Sequence, residues 1–211
     1  MANKRFFNLI ILDASGSMES IYTQALTGLN ETIQTIRSVA KEHDNLDQFL
    51  TLVSFNHEAH TIHETQLISM VDDIRRDQYV AEGCTALLDA MGNSITALQS
   101  KVQPGEGVLV TIITDGMENA SRQWTGQRIK SLVSELRQAG WTFNYIGANQ
   151  DVDMVADEIG IHNRMTWQTD PEEAKAMFSK LKSSSMRFFG RNIDNIQNCC
   201  ISEDKDFFNE D

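Results

Sequence analysis

The sequence predicts an α/β fold, a doubly wound and mostly parallel sheet with one antiparallel edge strand and helices on both faces. Three short apolar runs, 6–12, 49–55 and 108–113, are typical of strands that are buried on both faces. Between them lie segments with apolar residues at three- and four-residue spacing, which indicates amphipathic helices. Strands that alternate with helices of this length favour right-handed βαβ units, and hence a parallel sheet.

The remaining elements follow from local patterns. The short polar stretch Asn56-His57-Glu58 joins two extended segments, which predicts a hairpin and the antiparallel edge strand. Gly140 is placed to end one helix, and Pro171 with two following glutamates is placed to begin the last one. We predict helices over 22–43, 87–98, 125–139, 152–159 and from 171 onward, and further strands over 59–64, 141–147 and 164–167.

Length and composition predict one globular domain. The chain has 211 residues, of which 41% are hydrophobic and only 2 are proline, so it can bury a large core. We predict a domain over residues 1–189 and a C-terminal segment over 190–211 that is either docked or disordered. No apolar run approaches the ~18 residues that a membrane span needs. Three cysteines, Cys84, Cys199 and Cys200, are too few for a disulfide framework, which favours a reducing, cytoplasmic compartment.

The charge balance excludes one class of partner and permits another. Thirty acidic residues against 18 basic ones give a formal net charge of −12. A nucleic acid or an anionic membrane surface would meet a repulsive field, so we predict neither as a partner. The surplus of carboxylates does permit a cation site.

Two aspartates follow predicted strands directly. Asp13 comes after Leu12, and Asp115 comes after Thr114. In an open parallel sheet, ligands bind beyond the carboxyl ends of the strands, at the point where the strand order reverses. If the first and fourth strands are neighbours there, the two carboxylates meet on one edge of the sheet.

The loop after the first strand adds two hydroxyl groups. Ser15 and Ser17 alternate with Asp13, and alternate side chains of an extended segment point the same way. Gly16 is expected to supply the backbone freedom for a tight turn. Thr85 lies in a second loop that opens a helix. Ligands that are all oxygen favour a hard divalent cation, Mg²⁺ or Mn²⁺, over zinc.

These residues together match a known pattern. Asp13-Ala14-Ser15-Gly16-Ser17-Met18, Thr85 in Gly83-Cys84-Thr85, and Asp115 in Thr114-Asp115-Gly116 resemble the metal-ion-dependent adhesion site of von Willebrand factor type A domains. The resemblance extends over residues 5–186 in the order of strands and helices, and the fold that it implies is Rossmann-like.

The resemblance also implies a site and a function. The metal ligands would be Asp13, Ser15, Ser17, Thr85 and Asp115, with Thr85 and Asp115 exchanging inner and outer coordination between the free and partner-bound states. The ion would bind an acidic side chain of a partner protein. The chain is similar to stand-alone bacterial intracellular members, which implies a partner such as an ATPase or another component of a bacterial complex.

Two alternatives stay open. Asp13 at the end of the first strand is placed like the nucleophile of haloacid-dehalogenase-type phosphohydrolases, but Ser15 stands where that chemistry needs a carboxylic acid. Because the acid–base partner is missing, we predict that the protein is not an enzyme. The other alternative is a scaffold with a vestigial metal site, whose partner docks through the tail near Phe207 and Phe208.

Several polar residues near the predicted site have simpler interpretations. His57, His60 and His63 fall in the predicted hairpin, where a polar edge strand is expected rather than a transition-metal site. Glu118 and Asn119 are expected to be solvated loop residues, with partner selection as the alternative. Beside Thr85, Cys84 is expected to be a small buried thiol.

Overall fold

The computed structural model describes residues 3–148, 151–198 and 202–209. Its strands are β1 (Lys4–Asp13), β2 (Leu46–Phe55), β3 (Ala59–Leu67), β4 (Gly107–Thr114), β5 (Thr142–Ala148) and β6 (Asn163–Trp167). Its α-helices are α1 (Tyr22–Glu42), α2 (Leu87–Gln99), α3 (Gly126–Gln138), α4 (Val152–Ile159) and α5 (Pro171–Gln197). Short 3₁₀ turns cover Gly16–Ile21 and Ile68–Met70.

The strands form one six-stranded sheet in the order β3-β2-β1-β4-β5-β6. All neighbouring pairs are parallel except β2 and β3, which are antiparallel and place β3 at the edge. The chain continues from β1 to β2 on one side and returns to β4 on the other, so the order reverses between β1 and β4. The predicted fold class is therefore confirmed.

Helices bury apolar side chains against both faces of the sheet. One cluster joins α1 and α5 to the sheet and includes Leu29, Ile33 and Phe178. The other cluster joins α2, α3 and α4 to the opposite face and includes Met91 and Ile129. Strands that are covered on both faces need apolar residues at successive positions, which explains the uninterrupted apolar runs in the sequence.

The last helix is longer than the composition indicated. Residues 190–197 mix polar side chains with Gly190, but they continue α5 without a break. Ile193 and Ile196 carry on the apolar face that begins with Phe188 and Phe189, and Ile196 is buried. Packing of that face outweighs a helix-interior glycine, which costs roughly 1 kcal/mol relative to alanine. The helix crosses the boundary at residue 189, and the division into domain and tail stays a prediction.

Residues 202–209, called the C-terminal segment from here on, are docked on the domain. Phe207 is 0% and Phe208 8% exposed, and the Phe207 ring lies 5.6 Å from the ring of Phe188. Cys199 and Cys200 lie outside the described residues. Within the part of the chain that the structure describes, no helix combines the length and apolarity that crossing a bilayer requires.

Candidate metal centre

The adjacent ends of β1 and β4 bring the two predicted aspartates to one edge of the sheet. Leu12 pairs with Ile113, so Asp13 ends β1 beside Thr114, and Asp115 follows at once. Asp13 is fully buried, and both oxygens of its carboxylate accept hydrogen bonds. Thr114 Oγ1 donates to Asp13 Oδ2 at 2.5 Å, and the Ser15 amide donates to Asp13 Oδ1 at 2.7 Å. The strand register therefore fixes both the position and the orientation of this carboxylate.

A 3₁₀ turn brings the hydroxyl groups to the same place. Ser15 has extended backbone, and the turn begins at the next residue. Ser17 Oγ lies 3.2 Å from Ser15 Oγ and donates to Asp115 Oδ1 at 2.7 Å. The two serines thus converge as expected, but through the turn rather than through an extended loop. Gly16 was expected to need unusual backbone freedom and does not, because it has no positive φ.

The unusual backbone lies in the second loop instead. Gly83 has φ of +78°, a left-handed conformation that favours glycine, and its carbonyl accepts from the amide of Gly16 at 3.2 Å. Two residues later Thr85 is buried. A Cβ atom on Gly116 would lie 2.8 Å from Thr85 Oγ1 and 3.7 Å from Asp13 Oδ2. The Thr85 hydroxyl therefore faces the same cluster as the two carboxylates.

The protonation equilibria of both aspartates are shifted in the same direction. Burial raises the pKa of Asp13, although hydrogen bonds from Thr114 and Ser15 act against it. Burial is also the main cause that raises the pKa of Asp115 from 3.8 to about 6, and the nearby charge of Asp13 adds to it. The ionised forms of these two carboxylates are thus destabilised in the folded chain, and a positive charge placed between them would be stabilised.

The chemistry of the five side chains fits a hard divalent cation. They offer two carboxylates and three hydroxyl groups within one cluster, and no sulfur or imidazole ligand is among them. Oxygen donors of this kind suit Mg²⁺ or Mn²⁺. Among the described residues, no group of three or more His, Cys, Asp and Glu is arranged to hold a metal ion, and the candidate centre has two acids.

The sequence analysis did not predict Tyr79 and Thr114, two residues that donate hydrogen bonds to Asp13 and are not candidate ligands. The Tyr79 hydroxyl donates to the main-chain carbonyl of Asp13 at 2.7 Å, and Tyr79 is fully buried. Burial, followed by the charges of Asp13 and Asp115, raises the pKa of Tyr79 well above its usual value, so this phenol stays a donor. Thr114 could have been found from the sequence, because it immediately precedes Asp115 at the end of β4, the strand next to β1. Tyr79 carries no local signal, since it lies 66 residues from Asp13.

The other polar residues near the site have defined environments. Asn119 Oδ1 accepts from the Thr85 amide, and the Asn119 amide donates to the Thr85 carbonyl, each at 3.0 Å. Asn119 is exposed in a loop, as we expected, whereas Glu118 is half-buried and accepts hydrogen bonds from backbone amides, so it is not the solvated residue that we expected. Cys84 is exposed, contrary to the expected buried thiol, because it follows the turn at Gly83 at the surface.

Fold and site define a class of protein, a doubly wound α/β domain with an oxygen-rich cluster at the topological switch point. The family described as von Willebrand factor type A domain matches residues 9–184. The chain belongs to this family, as the three-part motif predicted.

Solved structures agree in fold at low sequence identity. The PilB minor pilin from Streptococcus sanguinis has a TM-score of 0.59 at 16% identity, over 89% of this chain and 63% of its own. The ArnB paralog VWA2 from Sulfolobus acidocaldarius has a TM-score of 0.56 at 16% identity, over 86% and 46%. Proximal thread matrix protein 1 from the mussel byssus, solved with a zinc-occupied MIDAS motif, has a TM-score of 0.54 at 15% identity, over 88% and 46%.

These likenesses concern the fold alone. The chain spans less than two thirds of the length of each of the three structures. No curated protein matches the chain in a sequence comparison.

Proposed function

We propose that this domain is a metal-dependent protein interaction module. Asp13, Ser15, Ser17, Thr85 and Asp115 would hold Mg²⁺ or Mn²⁺ and so bind an acidic side chain of a partner protein. The observation that carries the proposal is the pair of buried carboxylates, Asp13 and Asp115, whose pKa values are both raised within a cluster of hydroxyl groups.

Charge explains why the site would use a metal. Two carboxylates balance a divalent cation, and the three hydroxyl groups add no charge. The bound cation would supply a positive charge with a coordination position for a carboxylate from another molecule. Because the whole chain has a net charge of −12, it repels an acidic partner at long range, and attraction has to come from this local charge.

The chain's own residues have separable tasks in this proposal. Asp13 is buried, and its carboxylate is oriented by Thr114 and the Ser15 amide, so it anchors the base of the site. Ser17 is exposed and connects to Asp115, so it marks the side from which a partner would approach. Fixed orientation of the ligands lowers the entropic cost of binding.

We also propose that the site works without catalysis. At the position where phosphohydrolases of the haloacid-dehalogenase type need a second acid, Ser15 has a hydroxyl group that donates no proton at neutral pH. The test is an assay with small phosphomonoesters and Mg²⁺, for which we expect no turnover. Turnover that Asp13→Asn abolishes would replace the interaction proposal with the enzyme alternative.

Thermal unfolding with and without divalent metal tests the proposal directly. A ligand at a hundred times its Kd stabilises a protein by about 2.7 kcal/mol, which is about 5–10 °C in Tm for a chain of this size. We expect MgCl₂ or MnCl₂ to raise the Tm of the wild-type protein, and Asp13→Ala and the milder Ser17→Ala to reduce or abolish the rise.

The control for these variants is Asp72→Ala, which removes an exposed carboxylate from another loop and should keep the full metal response. A wild-type Tm that is the same in MnCl₂ and in chelator would contradict the proposal. The same result would favour the scaffold alternative, in which the site is vestigial.

Partner binding needs a separate measurement. We propose a cytoplasmic partner, such as an ATPase or another component of a bacterial complex, and expect its capture from the native cell to require divalent metal. Affinity capture is done with the wild-type protein, with added chelator and with Ser17→Ala. It separates partners that bind through the candidate metal centre from partners that bind elsewhere on the domain. Partners that are retained in all three conditions would bind elsewhere.

A further inference from the structure

Asp89 and Glu118 are not among the five candidate ligands, but they connect the two segments of chain that follow the ligands Thr85 and Asp115. We define the rim loop as residues 116–125, which follow Asp115 and lead to α3. Asp89, in the first turn of α2, accepts hydrogen bonds from three successive rim-loop amides. These are the amides of Arg122 at 2.8 Å, Gln123 at 2.9 Å and Trp124 at 2.8 Å.

Glu118 makes the reciprocal connection from the rim loop to α2. Its Oε2 accepts from the Leu88 amide at 2.8 Å, and its Oε1 accepts from the amides of Ala120 at 2.9 Å and Ser121 at 2.7 Å. The Ser121 hydroxyl donates to Glu118 and accepts from the Asp89 amide. Asp89 therefore accepts from three backbone amides of the rim loop, and Glu118 accepts from one backbone amide of α2, which begins two residues after Thr85.

Apolar packing secures the same junction without charge. The Trp124 ring lies against Gly92 of α2 so closely that a Cβ on Gly92 would be 2.0 Å from it. The Trp124 indole also donates to Asn93 Oδ1 at 2.9 Å. Helix α2 is thus fixed to the rim loop at its first turn and again one turn further along.

We infer that Asp89 and Glu118 are positioning residues, which fix the rim loop to α2 and so hold Asp115 and Thr85 in register for the cation. This inference rests on the proposed function. Asp115 immediately precedes the rim loop, and Thr85 precedes α2, so a shift between the two segments separates the two ligands. The Asn119 side chain and amide, which bracket the backbone of Thr85, carry the constraint to that ligand.

The protonation state of Asp89 agrees with this role. Burial acts to raise its pKa, but the amides of Arg122, Trp124 and Gln123 outweigh it and lower the pKa below the usual value. Asp89 therefore stays ionised with its charge directed at the rim loop.

Amide hydrogen exchange in metal-free protein tests the positioning role without any ligand. Asp89→Asn and Glu118→Gln keep side-chain size and remove acceptor strength. We expect the amides of Thr85 and of residues 122–124 to exchange at least about tenfold faster in both variants, while amides of β1 keep their protection. Exposed acids supply matched controls, Asp72→Asn and Glu31→Gln, which should change nothing at Thr85. Unchanged exchange at Thr85 in both test variants would overturn the inference.

Metal affinity supplies the second readout. Loss of residues that orient metal ligands typically weakens binding about 10- to 100-fold, and we expect this for the Mn²⁺ Kd of both acid variants. Removing a nearby negative charge would also weaken Mn²⁺ binding, so Gly92→Ala provides the control for charge. It displaces Trp124 and keeps every carboxylate, and we expect it to weaken Mn²⁺ binding as well.

The outcomes separate the two proposals. Mn²⁺ binding that is weakened by the acid variants but not by Gly92→Ala would mean that charge alone acts, which overturns positioning. A wild-type protein that fails to bind Mn²⁺ would contradict the proposed function, and exchange at Thr85 would still decide whether Asp89 and Glu118 hold the junction.

Discussion

The two ends of the sheet both contain acidic side chains, but those side chains have different partners. At the carboxyl ends of the strands, Asp13 and Asp115 are buried among hydroxyl groups and amides, and their pKa values are raised. At the opposite end, Glu203 and Asp204 of the C-terminal segment form ion pairs, with Arg137 at 2.6 Å and with Arg191 at 3.1 Å.

The difference separates a structural contact from a candidate binding site. At the end closed by the C-terminal segment, arginine supplies the positive charge, and the main chain is tied in by hydrogen bonds to Thr142 and Asn163, the first residues of β5 and β6. At the carboxyl ends of the strands, the raised pKa values of Asp13 and Asp115 indicate that burial disfavours the ionised form of both carboxylates. Breaking a buried ion pair leaves an uncompensated buried charge, whereas a buried acid that is held by hydroxyl groups would be stabilised by a cation from solution.

The largest loss of stability is expected from a substitution that weakens the docking of the C-terminal segment. Phe207→Ala deletes a fully buried ring that contacts Phe188 and Phe208, and we expect it to lower the free energy of unfolding by about 4 kcal/mol. Urea denaturation measures this loss. Met186→Ala, on the exposed side of α5, is the control and should change stability little. An equally small loss for Phe207→Ala would mean that the segment is not docked in solution.

At the carboxyl ends of the strands, removal of an acid should change the free energy of unfolding in the opposite direction. A carboxyl group whose pKa is raised in the folded state contributes stability that is present below pH 3.8 and is lost as the pH rises through about 6. In chelator at pH 7, Asp115→Asn should therefore raise the free energy of unfolding by up to about 3 kcal/mol. Stability curves from pH 4 to 8 should be flatter for the variant between pH 4 and 6. A destabilised variant with an unchanged pH profile would contradict the electrostatic difference between the two ends.

Breaking the buried ion pair should again destabilise the protein. Glu203→Gln removes the charge facing Arg137, whose guanidinium also donates to the Gly160 carbonyl at 2.9 Å and keeps that partner. Because both side chains of the pair are largely buried, we expect a loss of about 2 kcal/mol, measured by urea denaturation at pH 7. A neutral result would show that compensation by arginine is not what distinguishes this end.

The smallest effect is expected at an exposed ion pair of similar geometry. Lys101 Nζ lies 2.6 Å from Glu64 Oε1, the same separation as in the buried pair, but Glu64 is exposed to solvent. Water and salt screen such pairs, so Glu64→Gln should leave the unfolding midpoint within experimental error. A loss comparable to that of Glu203→Gln would show that distance, and not burial, sets the contribution.

The two aspartates of the candidate metal centre could be predicted from the sequence, because each is recognised from the residues next to it. Asp13 and Asp115 follow apolar strands, and the rule for parallel sheets places their side chains together. The sequence placed Thr85 in a loop that opens a helix, and the family pattern then implied its role as a ligand. Tyr79 and Asp89 were missed, because their contacts depend on tertiary packing between segments far apart in the chain.

Docking of the C-terminal segment could not be predicted either, because it also depends on tertiary contacts between residues far apart in the chain. Residues 202–209 have no helical or strand periodicity, so a docked and a disordered segment look alike in sequence. Their docking depends on contacts such as the one between the Asp204 amide and Thr142, which are 62 residues apart. The length of α5 was missed because Gly190 and polar neighbours conceal the continued apolar face.

The contact between Trp124 and α2 gives the domain an internal optical probe. Of the three tryptophans, Trp141 and Trp167 are buried, whereas Trp124 is partly exposed and lies in the loop that follows Asp115. The Arg128 guanidinium lies 4.5 Å from the centre of its ring. Any rearrangement of the rim loop changes the surroundings of this one indole, so intrinsic fluorescence can follow events at the site in unlabelled protein.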